Sequence, residues 1–257
     1  MNGRKLCFIN SSYRGKKGLS SLLIDNIVRG ARSAGADCDV VTLAGQRINR
    51  CLDCGFCQSR PSLGRCVHQD KDDVDSIYQT IAKADVVVYA SPVYVLGISG
   101  LLKIFLDRVY AYGNIDRLKL THSGMFFHDI PTSICSKPFV SLICCDNFEE
   151  RVVRNCEDYF RTLSVFHDAK RVGRLVRNSG KLLMGQNEIP AAGKERILRA
   201  YEQAGRELGR DGKISACTQR EANREVIPVP FFHYLKHLGL VKRAVLKRAS
   251  STQESAK

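Results

Sequence analysis

The chain has 257 residues, 44% hydrophobic and 26% charged, with a net charge of +14 and eleven cysteines. That length can bury a real core, as one large domain or one domain with an appended segment, and the composition excludes a disordered or fibrous chain. No apolar run has signal-peptide form or membrane-spanning length, so a cytoplasmic protein with mostly reduced thiols is expected.

In chain order, the apolar runs alternate with amphipathic ones. KLCFIN (5–10) reads as a buried strand, and residues 18–35 read as a helix ending at a glycine. CDVVTL (38–43) is a second strand, followed by a cysteine-rich loop at 50–70. Residues 72–84 form a helix that Asp72 or Asp73 can cap. ADVVVYAS (84–91) is a third strand and 100–112 a third helix. Residues 113–136 are a polar insertion with no clear period. KPFVSLICC (137–145) is a fourth strand, 148–163 a helix, 169–176 a fifth strand and 193–212 a last long helix.

Strands apolar on both faces, alternating with helices, imply a parallel sheet covered on each side. The expected fold is α/β, a flavodoxin-like doubly wound five-stranded parallel sheet with helices on both faces, plus a C-terminal amphipathic helical tail. The expected domain spans 1–212, with a basic amphipathic extension at 213–257 whose last residues, SSTQESAK, are disordered in this reading. The tail places apolar residues at 231, 235, 238, 241 and 245. Packing on the domain or on a second subunit is favoured over contact with an anionic membrane.

Charge is unevenly placed. Residues 1–150 carry 18 basic and 15 acidic side chains, against 22 and 11 in residues 151–257. The basic half could meet nucleic acid, an anionic membrane surface or an acidic electron-transfer partner, and a solvated, positively charged surface is the favoured reading.

Two loops at the expected carboxyl edge of the sheet look built for a ligand. NSSYRGKKGLSS (10–21) combines small hydroxyls, Arg14 and Gly18 just before a helix, a set suited to a phosphate. It has neither the P-loop nor the G-x-G-x-x-G spacing. SPVYVLGIS (91–99) puts a rigid surface of Pro92, Val93 and Tyr94 at the edge, with Gly97 allowing a flat ligand close to the backbone. The cysteines Cys51, Cys54, Cys57 and Cys66 follow a C-x2-C-x2-C-x8-C spacing. On chemistry alone a [4Fe–4S] cluster, zinc and free thiols all remain open. His68, His122, His128, His167, His233 and His237 show no metal-ligand spacing, and no hydrolase motif is present. Cys144 and Cys145 are vicinal, and a strand's pleat should turn one of them into the core.

With those loops in view, the chain resembles the NADPH-dependent FMN reductase and flavodoxin-like superfamily, and most of all its iron–sulfur flavoprotein branch. Asn10, Ser11, Ser12, Tyr13, Arg14, Gly18 and Ser20 answer the family's phosphate loop, with one insertion and with Tyr13 and Leu19 in place of the usual Pro and Asn. Ser91, Pro92, Val93, Tyr94, Leu102, Lys103, Phe105, Asp107 and Arg108 answer its second motif, with Gly97 one place late. The resemblance implies FMN phosphate held around Ser12, Arg14, Gly18, Leu19 and Ser20. It places the flavin ring against Ser91 to Tyr94 and Gly97, with Cys145, Asp146 and Asn147 on the other side. It also implies a [4Fe–4S] cluster on Cys51, Cys54, Cys57 and Cys66.

The expected function is electron transfer between cluster and FMN, with ferredoxin or NAD(P)H as donor, a small-molecule acceptor and a homo-oligomer, a dimer or a dimer of dimers. The cysteine loop would reach its own flavin or a neighbour's across the dimer contact. A cluster-free NAD(P)H-dependent FMN or quinone reductase is the main alternative, and a non-enzymatic flavin- or nucleic-acid-binding protein a lesser one.

Overall fold

The computed structural model describes residues 3–185, 191–226 and 232–244. Five strands, β1 (Lys5–Asn10), β2 (Asp37–Thr42), β3 (Val86–Pro92), β6 (Phe139–Cys144) and β7 (Arg171–Arg177), form one parallel sheet in the order β2-β1-β3-β6-β7. This is the expected flavodoxin-like order, because the two strands between β3 and β6, β4 (Asn114–Leu120) and β5 (Phe126–Asp129), pair only with each other. The interior strands are buried almost throughout, which is why they read as continuous apolar runs rather than alternating ones.

Each face of the sheet carries its own core. Leu6, Phe8, Val88, Leu142 and Leu175 pack under α1 (Leu19–Ser33) and α7 (Ala191–Asp211). Ile9, Val87, Phe139 and Ile143 pack under α2 (Val74–Lys83), α3 (Gly100–Asp107) and α5 (Arg154–Phe166). Helices α1 and α7 cross with their backbones nearly touching. A Cβ on Gly30 would lie 1.8 Å from the Glu202 carbonyl oxygen, and one on Gly205 would lie 1.9 Å from that of Ile27. Only glycine fits at that crossing.

The helix expected over 100–112 is shorter. Its last turn tightens into a 3-10 segment at Arg108–Tyr112. The unassigned insertion is the β4–β5 ribbon followed by α4 (Thr132–Cys135). Phe127 anchors it edge-on against Phe166, at 4.5 Å between ring centres. A short α6 (Gly180–Met184) follows β7. Beyond α7, α8 (Ala216–Ala222) closes the open edge of β7: the Arg174 N–H donates to Gln219 Oε1 at 2.9 Å and the Val176 N–H to Asn223 Oδ1 at 2.7 Å. That satisfies donors an edge strand would otherwise leave unpaired.

The tail includes α9 (Phe232–Leu235) and is helical again at 239–244. Residues 231 and 245 of the expected apolar stripe, and the SSTQESAK end, lie outside the described residues. Within the described part the buried anchor is a lysine. Lys236 Nζ sits 2.7 Å from Glu225 and 3.3 Å from Glu150, while Leu238 and Leu240 are exposed. Charge pairing ties this segment down, and of the described stripe positions Leu235 and Val241 are half-buried while Leu238 is exposed. Among the described residues no helix is long and apolar enough to cross a membrane.

Candidate functional site

The chain passes from β1 outward to β2 and then back past β1 to β3, so a crevice opens between the carboxyl ends of β1 and β3. The loops leaving those strands are stitched together. The Ser11 hydroxyl donates to the Ala90 carbonyl at 2.8 Å, and the Ser99 hydroxyl donates to the Ser11 carbonyl at 2.9 Å. Ser99 also caps α3 by accepting from the Leu102 N–H, and its own N–H donates to Ser91 Oγ at 2.9 Å. Ser91 and Ser99 therefore fix the spacing of the two loops. The S-x-x-L pattern ahead of an apolar run was a visible cap signal, but nothing in sequence showed the bridge to Ser11.

The loop after β1 holds Ser12 buried and Arg14 exposed, with the Arg14 N–H 3.3 Å from Ser12 Oγ. Gly18 is extended and caps α1. A Cβ there would fall 2.6 Å from Ser12 Oγ, so glycine is what lets the loop close onto the helix. The first α1 amides bonded to the helix are those of Ser21 and Leu22, which leaves the Leu19 and Ser20 N–H groups at the open end. Beneath them, Asn10 Nδ2 is buried without a partner among the described residues. Exposed Lys16 and Lys17 flank the cradle. Free amides, hydroxyls and cations around a gap that a Cβ would fill make a set that fits a phosphate.

After β3, Tyr94 and Gly97 exchange both backbone hydrogen bonds, closing a two-residue turn. Its central residues, Val95 and Leu96, have φ of 46° and 65°. A β-branched residue in that region is strained. Gly97 does not take up the left-handed conformation, and the only atom within 4 Å of a Cβ there would be the Tyr94 carbonyl oxygen, 3.9 Å away. Val95 is 99% exposed, and Tyr94 packs at 5.6 Å from the Tyr13 ring. Pro92, Val93, Tyr94 and Tyr13 thus form an apolar lip on the crevice.

The third loop follows β6. The Val93 N–H donates to the Cys144 carbonyl at 2.8 Å, and the Cys145 carbonyl accepts from Gly180 at 2.9 Å. Cys144 and Cys145 are both buried, one in each core. Asp146 and Asn147 are exposed on the same carboxyl edge, and Leu19 lies against Gly180. All three loops meet at one rim.

The cysteine loop occupies a different place. Its Gly64 N–H donates to the Cys57 carbonyl at 2.9 Å, with Gly64 at φ 78°. That fold-back carries Cys66 into one cleft with Cys51, Cys54 and Cys57, against Asp107, Arg108 and Tyr110. The long last spacing is thereby accommodated. Arg108 and Asp72 form an ion pair of 2.5 Å with both side chains buried, and Arg108 also reaches the Asn49 carbonyl and the Cys66 sulfur. Burial alone would raise the Asp72 carboxyl, but the Arg108 contact and the Asn49 and Val74 amides hold it below its usual range. Asp72 is therefore more than a cap. The His68 N–H points at Cys66 Sγ at 3.5 Å, and Gln58 Nε2 lies 3.6 Å from Cys57 Sγ. Burial raises the Cys57 thiol, opposed by Gln58.

Four thiols in one cleft, with N–H donors and a guanidinium aimed at their sulfurs, fit a thiolate-bound cluster in chemistry. They are not closed around a point: among the described residues no three His, Cys, Asp or Glu side chains converge as a ligand set. The cleft lies at the far end of α3 from Ser99. That eight-residue helix spans about 12 Å, so within one chain the thiols stand back from the crevice.

Residues 4–123 match the family model described as NADPH-dependent FMN reductase. An iron–sulfur flavoprotein of Archaeoglobus fulgidus is 32% identical over 109 residues, 42% of this chain and 47% of that protein. One of Methanocaldococcus jannaschii is 32% identical over 104 residues, 40% of this chain and 51% of that protein. The chain spans about half the length of these curated relatives. Among solved structures, an FMN-dependent NADH-azoreductase of Bacillus anthracis superposes with a TM-score of 0.59 at 11% identity, covering 80% of this chain and 99% of that one. An NAD(P)H:quinone oxidoreductase of Methanothermobacter marburgensis gives 0.54 at 17%, covering 80% and 96%. At those identities the structures speak for the fold.

Proposed function

We propose, from the match of residues 4–123 to the family model described as NADPH-dependent FMN reductase, that the chain is an FMN-dependent oxidoreductase passing electrons between FMN and a [4Fe–4S] cluster. The observation that carries the flavin is the crevice between β1 and β3, with its phosphate-sized cradle on one side and apolar lip on the other. Ser12, Arg14, Gly18, Leu19 and Ser20 would hold the phosphate through hydroxyls and free amides. Ser91 to Tyr94 would carry one side of the ring, with Gly97 closing the turn that positions Tyr94. Cys145, Asp146 and Asn147 would border the other side. When bound, FMN exchanges a hydride for single electrons, and a cluster carries electrons singly. The chain's part is to hold both groups, exclude water from the ring and set the local charge.

The four thiols of the cysteine cleft would ligate the cluster, with Arg108 offsetting its negative charge. Standing one helix length from the crevice, they support transfer to the flavin of a second copy as readily as to their own. A cluster-free reductase is the second reading, favoured by the open arrangement of the thiols.

Anaerobic full-length protein loaded with FMN, mixed in turn with NADPH and with a reduced acidic ferredoxin, tests the activity. Bleaching of the oxidised-flavin band by at least one donor is expected. If the basic C-terminal half steers the ferredoxin, that rate falls as salt rises. No bleaching by either donor would refute the oxidoreductase reading.

A further inference from the structure

A buried charge lies under the rim with no carboxylate within ion-pair distance among the described residues. Arg177 ends β7 and is 1% exposed, on the face shared with Leu175 and α7. Its Nη2 donates to the Arg224 carbonyl at 2.5 Å, while Nε and Nη1 are buried with no partner among the described residues. A guanidinium is always charged, and burying it without a counter-ion costs several kcal/mol. Fold stability alone would favour a smaller apolar residue here.

The surroundings show where that anion would sit. Arg177 pairs in register with Cys144 at the end of β6. The Cys144 thiol faces the Ser20 hydroxyl and feels the Arg177 charge, yet burial pushes it up to about 12, so it supplies no thiolate. Tyr201 of α7 is the other neighbour. It is buried with its hydroxyl unpartnered, and burial keeps that phenol protonated. Neither neighbour can be the anion. Ser20 lies in the first turn of α1, whose open amides form the phosphate cradle, and Asn10 Nδ2 is orphaned at the end of β1 on the same face. Cys144 thus lies between Arg177 and Ser20, beneath the first turn of α1.

We propose that Arg177 is the fixed counter-charge for the flavin's phosphate, acting from below the α1 N-terminus without touching it, so that the site selects FMN over riboflavin. This rests on the FMN reading above and adds a positioning residue to it. At about 10 Å and an effective dielectric of about 20, one charge pair changes affinity by about tenfold, and a dianion by more. Because the charge is uncompensated until phosphate arrives, the flavin-free protein is less stable than its packing allows, and any phosphate that settles there stabilises it.

The test uses the full chain stripped of flavin. Arg177→Met should weaken FMN binding at least about tenfold and leave riboflavin binding unchanged, and Arg177→Lys should recover part of the difference. Inorganic phosphate at constant ionic strength should raise the Tm of the wild type more than that of Arg177→Met, which should need about tenfold more phosphate for the same rise. Equal weakening of FMN and riboflavin would overturn the proposal, assigning Arg177 a packing role only, as would an unchanged FMN-to-riboflavin ratio. Should the variants fail to fold, the wild-type arm decides: no phosphate-specific rise in Tm refutes it. A wild type that binds neither flavin would sink the FMN reading itself, whereas the preceding outcomes leave that reading intact.

Discussion

At Arg108, a guanidinium at the end of α3 holds Asp72, the Asn49 carbonyl and the Cys66 sulfur at once, and thereby joins the cysteine loop to the sheet domain. Removing one partner of a buried pair strands the other. Arg108→Met should cost about 3–5 kcal/mol in urea unfolding, and the double change Arg108→Met with Asp72→Leu should recover most of it. The single variant should also lose iron faster under a chelator than the wild type. Unchanged stability would mean the pair is not buried in solution. A second residue governs pH dependence. Burial against Phe127 and Phe166 pushes His167 down to about 4 from an ordinary 6.5. Its folded value lies below its unfolded one, so its contribution is complete above pH 6.5 and is lost as pH falls through 4. Discounted for partial exposure, that is about 1–2 kcal/mol. His167→Phe should flatten stability against pH over that window, and a slope identical to wild type would show the imidazole to be solvated.

Among the elements, the contact of α1 with α7 positions the phosphate cradle, since α1 carries the cradle at its N-terminus. Gly30 and Gly205 sit against the opposing backbone, where no side chain can yield. Gly205→Ala should cost about 3 kcal/mol, while Gly45→Ala, where no atom lies within 4 Å of the new Cβ, should be near neutral. Equal effects on Tm would contradict the close crossing. This level also separates what could be read from the sequence from what could not. Runs such as VVVYA announced β3 because a strand buried on both faces needs apolar side chains throughout. The ribbon in 113–136 gave no such signal. Its apolar Leu118, Leu120 and Phe126 face outward, and Phe127 anchors it through a contact distant in sequence. Likewise the loops around Ser12 and Tyr94 were legible from small and rigid residue types next to helix starts. The left-handed turn at Val95 and Leu96 was not, because β-branched and bulky residues argue against that conformation. Arg177 was invisible, since a lone arginine ending a strand reads as solvated until its burial is known.

For the whole molecule, the sheet order puts the loops after β1, β3 and β6 on one rim, while the cysteine cleft lies at the far end of α3. On the proposed reading, these two places make a two-carrier protein if both are filled, and a simple flavin reductase if only the crevice is. Iron, acid-labile sulfide and FMN measured together on anaerobically purified full-length protein decide between these most directly. The account predicts about four iron and four sulfide for each FMN, with iron and sulfide, but not FMN, lost on Cys57→Ala. FMN present with neither iron nor sulfide, even after anaerobic reconstitution, would contradict it.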